Sequence, residues 1–89
     1  MLVTVDFGVA PSTDLELLSE HAERAGATLQ TPEGPLAEPP VLRGVVQFDA
    51  TKLTVRVAAR ARPGRHQEAE LALRQALREQ LLAAGVTLV

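Results

Sequence analysis

Arg56, Arg60, Arg62 and Arg65 crowd the stretch that leads into a helix-length run, with Pro63-Gly64 set between them. Guanidinium groups beside the unpaired amides of a helix start can hold a phosphate or a carboxylate, because both the charge and the free N–H donors favour an anion. Two other constellations could do chemistry. His21 lies with Glu20 and Glu23, and Glu68 and Glu70 form a second acidic pair.

Each of these loses force when its spacing is examined. Acyl-phosphate hydrolases built on a small α+β sandwich hold phosphate in a loop after the first strand, with an arginine in it. The corresponding loop here, Gly8-Val9-Ala10-Pro11-Ser12-Thr13, has neither an arginine nor a glycine run. His21 has no second histidine one helical turn on, so the spacing of a zinc site is missing, and the residue reads as exposed or helix-lining. His66 follows Arg65 at a helix start, and no role is assigned to it. Glu68 and Glu70 point in different directions on a helix and make no acid/base dyad. There is no cysteine to supply a thiolate or a disulfide. No catalytic set is expected, no cofactor and no metal. The arginines read as a solvated or subunit-facing cluster.

Nucleic-acid binding on a small sheet depends on aromatic side chains that stack bases. Phe7 and Phe48 are the only aromatics, so that function is excluded. The net charge of −2 conceals an asymmetry. Residues 1–40 hold seven acids against Arg24 alone, whereas residues 41–89 hold eight bases and four acids. Such a division suits either two halves folded on each other or head-to-tail contacts between copies, in which one copy's acidic face meets the basic face of the next. On the second reading Arg56, Arg60 and Arg62 are candidate interface residues, facing Glu16, Glu20 and Glu23 of a neighbour.

The elements that must position these residues follow from periodicity. Val3, Val5, Phe7 and Val9 alternate with Leu2, Thr4, Asp6 and Gly8, which predicts a strand with one buried face. Thr13 and Glu16 have the spacing of a capping box for a first helix, with Leu15, Leu18, Ala22 and Ala25 on its apolar stripe and Gly26 as its stop. Four prolines (Pro32, Pro35, Pro39, Pro40) make Thr28–Pro40 an extended connector. Val41–Phe48 and Leu53–Ala59 read as strands joined by a tight hairpin at Asp49-Ala50-Thr51. Leu42, Val46 and Phe48 are the expected inward set of the first, and Leu53, Val55, Val57 and Ala59 of the second. The run from Pro63 to Ala84 carries Leu73, Leu77 and Leu81 with Ala69, Ala76 and Ala84 on one stripe. After Gly85, Val86-Thr87-Leu88-Val89 needs a partner strand, for which Leu2–Val9 is the candidate. The expected fold is therefore α+β: a single ferredoxin-like βαββαβ two-layer sandwich over residues 1–89, with two helices on one face of a four-stranded antiparallel sheet. With 89 residues and 46% apolar content the core is small and aliphatic. No apolar run reaches the ~20 residues that span a bilayer.

The ordered set of segments resembles the C-terminal cytoplasmic α/β domain of the MscS family of small-conductance mechanosensitive channels. Val5-Asp6-Phe7-Gly8-Val9 followed by Thr13-Asp14 is similar to that family's first strand and helix cap. Glu38-Pro39-Pro40-Val41-Leu42 resembles its proline-containing entry to the second strand, and Leu53-Thr54-Val55-Arg56-Val57 its alternating third strand. Pro63-Gly64 precedes the long helix, and Ala84-Gly85-Val86-Thr87-Leu88 resembles the closing segment. Arg65-His66-Gln67 departs from the acidic and aromatic residues common in the family at that point.

The resemblance implies a domain excised from a longer membrane channel, on the cytoplasmic side of the inner membrane. It would touch the membrane only through segments absent here. Its role would be non-catalytic: seven copies would build the wall of a vestibule that passes ions and small solutes during osmotic stress. The partners would be other copies of itself, in a homoheptamer, and no nucleic acid. The alternative is a ferredoxin-like regulatory module that senses a small ligand.

Overall fold

Alternation of β-branched residues sets the first two layers of contact. The computed structural model describes all residues, Met1–Val89, in five elements: β1 (Leu2–Val9), α1 (Leu15–Ala27), β2 (Val41–Phe48), β3 (Leu53–Arg60) and α2 (His66–Ala83). β3 is the central strand, and the sheet is antiparallel in the order β1-β3-β2. Val5 sits opposite Val57 and Asp6 opposite Arg56, so alternate pairs face the core and the open side. Val3, Val5, Val9, Val55, Val57 and Ala59 are buried beneath the helices.

β2 breaks its own alternation. Its register against β3 shifts at Arg43 and again at Val46, leaving each of these as an extra residue opposite a single partner. Gly44, with φ of 131°, supplies the backbone that other residues rarely adopt. The consequence corrects the expected inward set: Leu42 stays partly buried, but Val46 is 45% and Phe48 76% exposed. A slip of one residue moves a side chain to the other face, and β2 contains two such slips.

The fourth strand is also corrected. After Gly85 the chain does reach the outer edge of β1, where Val89 N–H donates to Gly8 O at 3.0 Å and Ala10 N–H to Thr87 O at 3.2 Å. Only one bridge forms, Val9 to Leu88, so the sheet has three strands. Leu88 meets β1 at its last residue, Val9, and the two hydrogen bonds flank that single bridge.

The helices pack on each other and on the same side of the sheet, α2 over β1 and α1 over β2. Asp14, not Thr13, caps α1, its Oδ1 accepting from the N–H groups of Glu16 and Leu17; Thr13 instead donates its hydroxyl to Ala10 O at 2.7 Å. Gly26 does not stop the helix but lies inside it, because a Cβ there would run into the ring of Pro40. Leu15 is exposed, and the buried stripe is Leu18, His21, Ala22 and Ala25. α2 begins at His66 rather than Pro63, since Arg62–Arg65 form a turn closed by Arg65 N–H to Arg62 O at 3.0 Å. The connector contributes to the core as well: Leu36 is fully buried and bridges to Ala61.

Candidate functional site

The arginines that crowd together in sequence are dispersed by the β3-to-α2 turn. Arg56 lies on the open face of the sheet and makes a two-pronged contact with its cross-strand partner, Nε to Asp6 Oδ1 at 2.8 Å and Nη2 to Oδ2 at 3.0 Å. The hydrogen bond from Arg56 holds the Asp6 carboxyl below its ordinary value, against a small opposing effect of burial, and the same bond raises Arg56. Arg60 stands at the end of β3 with only a loose pairing to Glu38 at 3.7 Å, both side chains being well exposed.

Arg62 and Arg65 turn back onto the connector. Arg62 donates from Nε to Gly34 O at 2.9 Å and from Nη2 to Thr31 O at 3.1 Å. Arg65 donates from Nη1 to Glu33 O at 2.7 Å and to Gly34 O at 3.1 Å, and pairs with Glu68 in the first turn of α2. The anion-cradle arrangement therefore does not assemble. Backbone carbonyls take up the guanidinium donors, and the chain's own Glu68 carboxylate already stands at the helix start, its pKa lowered by the hydrogen bond from Arg65.

Glu16, Glu20 and Glu23 are exposed on α1 at helical spacing and make no ion pair within the chain. Arg56 and Arg60 belong to the sheet layer and these acids to the helix layer. The fold brings none of the three candidate arginines to any of the three candidate glutamates.

His21 is buried between the helices, where its Nδ1 lies 3.1 Å from Gln80 Nε2. It is helix-lining, and the amide donor leaves Nδ1 as the acceptor. His66 is partly buried, with Nδ1 unpartnered. No three histidine, aspartate or glutamate side chains converge. Three shallow cavities exist. The largest, about 220 Å³, lies between β1 and α2 and is floored by Val5, Phe7, Leu77 and Leu81 with Arg74 and Arg78 at its rim. One of about 200 Å³ separates the helices, and one of about 150 Å³ lies by Leu2, Val41 and Arg60.

Two contacts at these arginines escape a reading by spacing. The Asp6–Arg56 pair had a signal, since aligning the β1 and β3 alternations places a polar residue of each on the same face. The carbonyl clamp by Arg62 and Arg65 had none, because backbone acceptors leave no mark on residue type. No protein-family model and no curated protein matches the chain.

Three carboxylates are stabilised in the folded state. Asp6 and Glu68 accept from arginines, and Asp49 accepts from the Thr51 hydroxyl at 2.7 Å, Thr51 N–H at 2.8 Å and Lys52 N–H at 3.0 Å, which lowers its pKa. A group whose folded pKa is depressed contributes stability above its unfolded pKa and loses it as pH falls through the folded one. The urea midpoint is therefore expected to hold steady from neutrality to about pH 5 and to fall below the ordinary carboxyl values of 3.8 and 4.5. Asp49→Asn should make that fall shallower; an unchanged slope would show that the hairpin carboxylate is not linked to folding.

Proposed function

We propose that this chain is a non-catalytic assembly domain of an MscS-like mechanosensitive channel. It forms part of the wall of the cytoplasmic vestibule through which ions and solutes leave during osmotic stress. On this reading the layout is ferredoxin-like, and the Thr87–Val89 segment at the β1 edge is the rudiment of its fourth strand. No helix here is long and apolar enough to cross a membrane, so attachment would come from other parts of the polypeptide.

One observation carries the proposal. The acidic stripe of α1 and the arginine-bearing end of β3 lie in opposite layers, so their charges cannot meet within a copy. A head-to-tail ring lets the sheet layer of one copy face the helix layer of the next, which is the heterologous contact that closed rings require. Arg60 carries most of this role, because it has only a loose partner of its own, whereas Arg56 and Arg62 are already held by Asp6 and by connector carbonyls.

The test is made in the gene product that contains these residues. Its upstream sequence is expected to encode three or more apolar helices and then a small β-domain. A soluble catalytic domain there would favour the ligand-sensing module instead. In the full-length protein, Arg60→Glu should reduce the assembled fraction measured by native mass spectrometry. Arg60→Glu combined with Glu20→Arg should restore it. Assembly that is indifferent to both variants would sink the proposal.

A further inference from the structure

The two edges of the sheet are built differently. β1 keeps an unbroken register against β3 from Leu2 to Val9, whereas β2 carries its extra residues at Arg43 and Val46. A bulge re-aims the side chain it carries. Arg43 lines a cavity of about 150 Å³ whose apolar lining includes Leu2, Val41 and Ala58 and whose other charges are Arg60 and Glu38. Ala58, two residues from Arg56 and therefore on the open face of the sheet, is its buried floor. Met1 does not cross this face. It is held in the plane of the sheet by Ala61, donating to Ala61 O at 3.2 Å and accepting from Ala61 N–H at 2.7 Å.

The cavity's charges have little to hold within the chain. Arg43 makes no ion pair, and Arg60 reaches Glu38 only at 3.7 Å. The outer face of α1 carries the opposite pattern. Glu16, Glu20 and Arg24 recur one helical turn apart with Leu17 beside them, all exposed and none in an ion pair. Two cations and an acid line the cavity, and two acids and a cation flank Leu17. We infer that the cavity is a socket for Leu17 of a second copy. That copy's Glu16 meets Arg43, its Glu20 meets Arg60 and its Arg24 meets Glu38. The inference rests on the head-to-tail contact proposed above and gives that contact a centre, one aliphatic side chain ringed by ion pairs. A volume of about 150 Å³ accepts a group of leucine size.

Charge also fixes the orientation of the copies. Two sheets packed open face to open face would set Arg43 and Arg60 against the same arginines. Two α1 helices packed together would set glutamates against glutamates. Like charges so placed repel, and only the pairing of sheet with helix brings opposite signs together.

The 89-residue chain has no cysteine, so disulfide trapping between introduced thiols reports the contact directly. Leu17→Cys and Val41→Cys place thiols at two exposed positions, and cysteine keeps a small apolar group at each. The two variants are mixed in a glutathione redox buffer, and mass spectrometry separates mixed from like-with-like dimers. The mixed dimer is expected to form at least about tenfold faster than that of Val41→Cys with Leu71→Cys, whose thiol is at least as exposed on α2. Leu2→Cys, on the same cavity, stands in for Val41→Cys if that variant unfolds. Arg43→Glu added to the Val41→Cys chain should slow trapping about fivefold, and Glu16→Arg added to the Leu17→Cys chain should restore it. Equal rates for the two mixed pairs would overturn the inference, as would indifference to Arg43→Glu. Preferred dimers of Val41→Cys with itself would overturn it in favour of a face-to-face pair. Equal rates while Arg60→Glu still lowers full-length assembly would overturn the socket alone and leave the head-to-tail reading standing.

Discussion

Leu36→Ala is expected to cost about 3 kcal/mol of unfolding free energy, a large share of what a chain of this size holds, roughly 4–13 kcal/mol. Leu36 belongs to the connector, yet it is fully buried in the main cluster with Val3, Val57, Ala69 and Leu73. Its truncation removes transfer energy and leaves a cavity among atoms held by both helices and the sheet. Leu71→Ala, at a position 66% exposed on α2, provides the contrast and should change stability by less than about 0.5 kcal/mol. Equilibrium urea unfolding of the two variants measures both. A cost below about 1 kcal/mol for Leu36→Ala would mean that the connector merely crosses the surface, without a part in the core.

Arg62→Ala is the second variant with a large expected effect, a loss of about 1–2 kcal/mol. That range is the low part of what hydrogen bonds to charged groups give, because the Nη2 end of the guanidinium is exposed. Gly34 O keeps Arg65 Nη1 and Thr31 O keeps the Gly34 N–H, so what is lost is one donor to each and the tether by which Arg62 holds the turn that carries Leu36 into the core to the β3–α2 junction. Arg62→Lys should recover only part of the loss, since one ammonium cannot reproduce the two-pronged geometry of a guanidinium. Arg60→Ala should stay within about 0.5 kcal/mol, because its partner Glu38 is exposed and distant. Thermal and urea midpoints of the three variants test the ordering. Equal effects at positions 60 and 62 would refute the clamp.

These two residues mark the boundary of what sequence reasoning reaches. Strands and helices that bury one face announce themselves: the Val3-Val5-Phe7-Val9 alternation and the Leu73-Leu77-Leu81 stripe are each decided by a single buried surface, and both elements are present where expected. Elements decided by a neighbour are less legible. The extra residues at Arg43 and Val46 arise from how β2 meets β3, and they expose Val46 and Phe48 against a plain count of two. Gly26 looks like a helix stop because glycine usually is one, but Pro40, fourteen residues on, requires the missing Cβ. Asp14 and Thr13 both suit a cap, and a one-residue difference in where the chain enters α1 chooses between them. Of the candidate site, the exposure of Glu16, Glu20 and Glu23 was legible from helical spacing, whereas the dispersal of the arginines was not. Their directions depend on a turn whose acceptors are backbone oxygens.

The unequal edges also limit how far association can go. Fibrils and runaway aggregates need every added strand to offer a fresh edge that the next copy can extend. Here a strand laid on β1 finds, on the far side of the same sheet, an edge already kinked out of plane at Arg43 and Val46. The regular edge of one copy has no regular β2 edge on another to join. Growth by strand addition through these two unequal edges therefore terminates after one step.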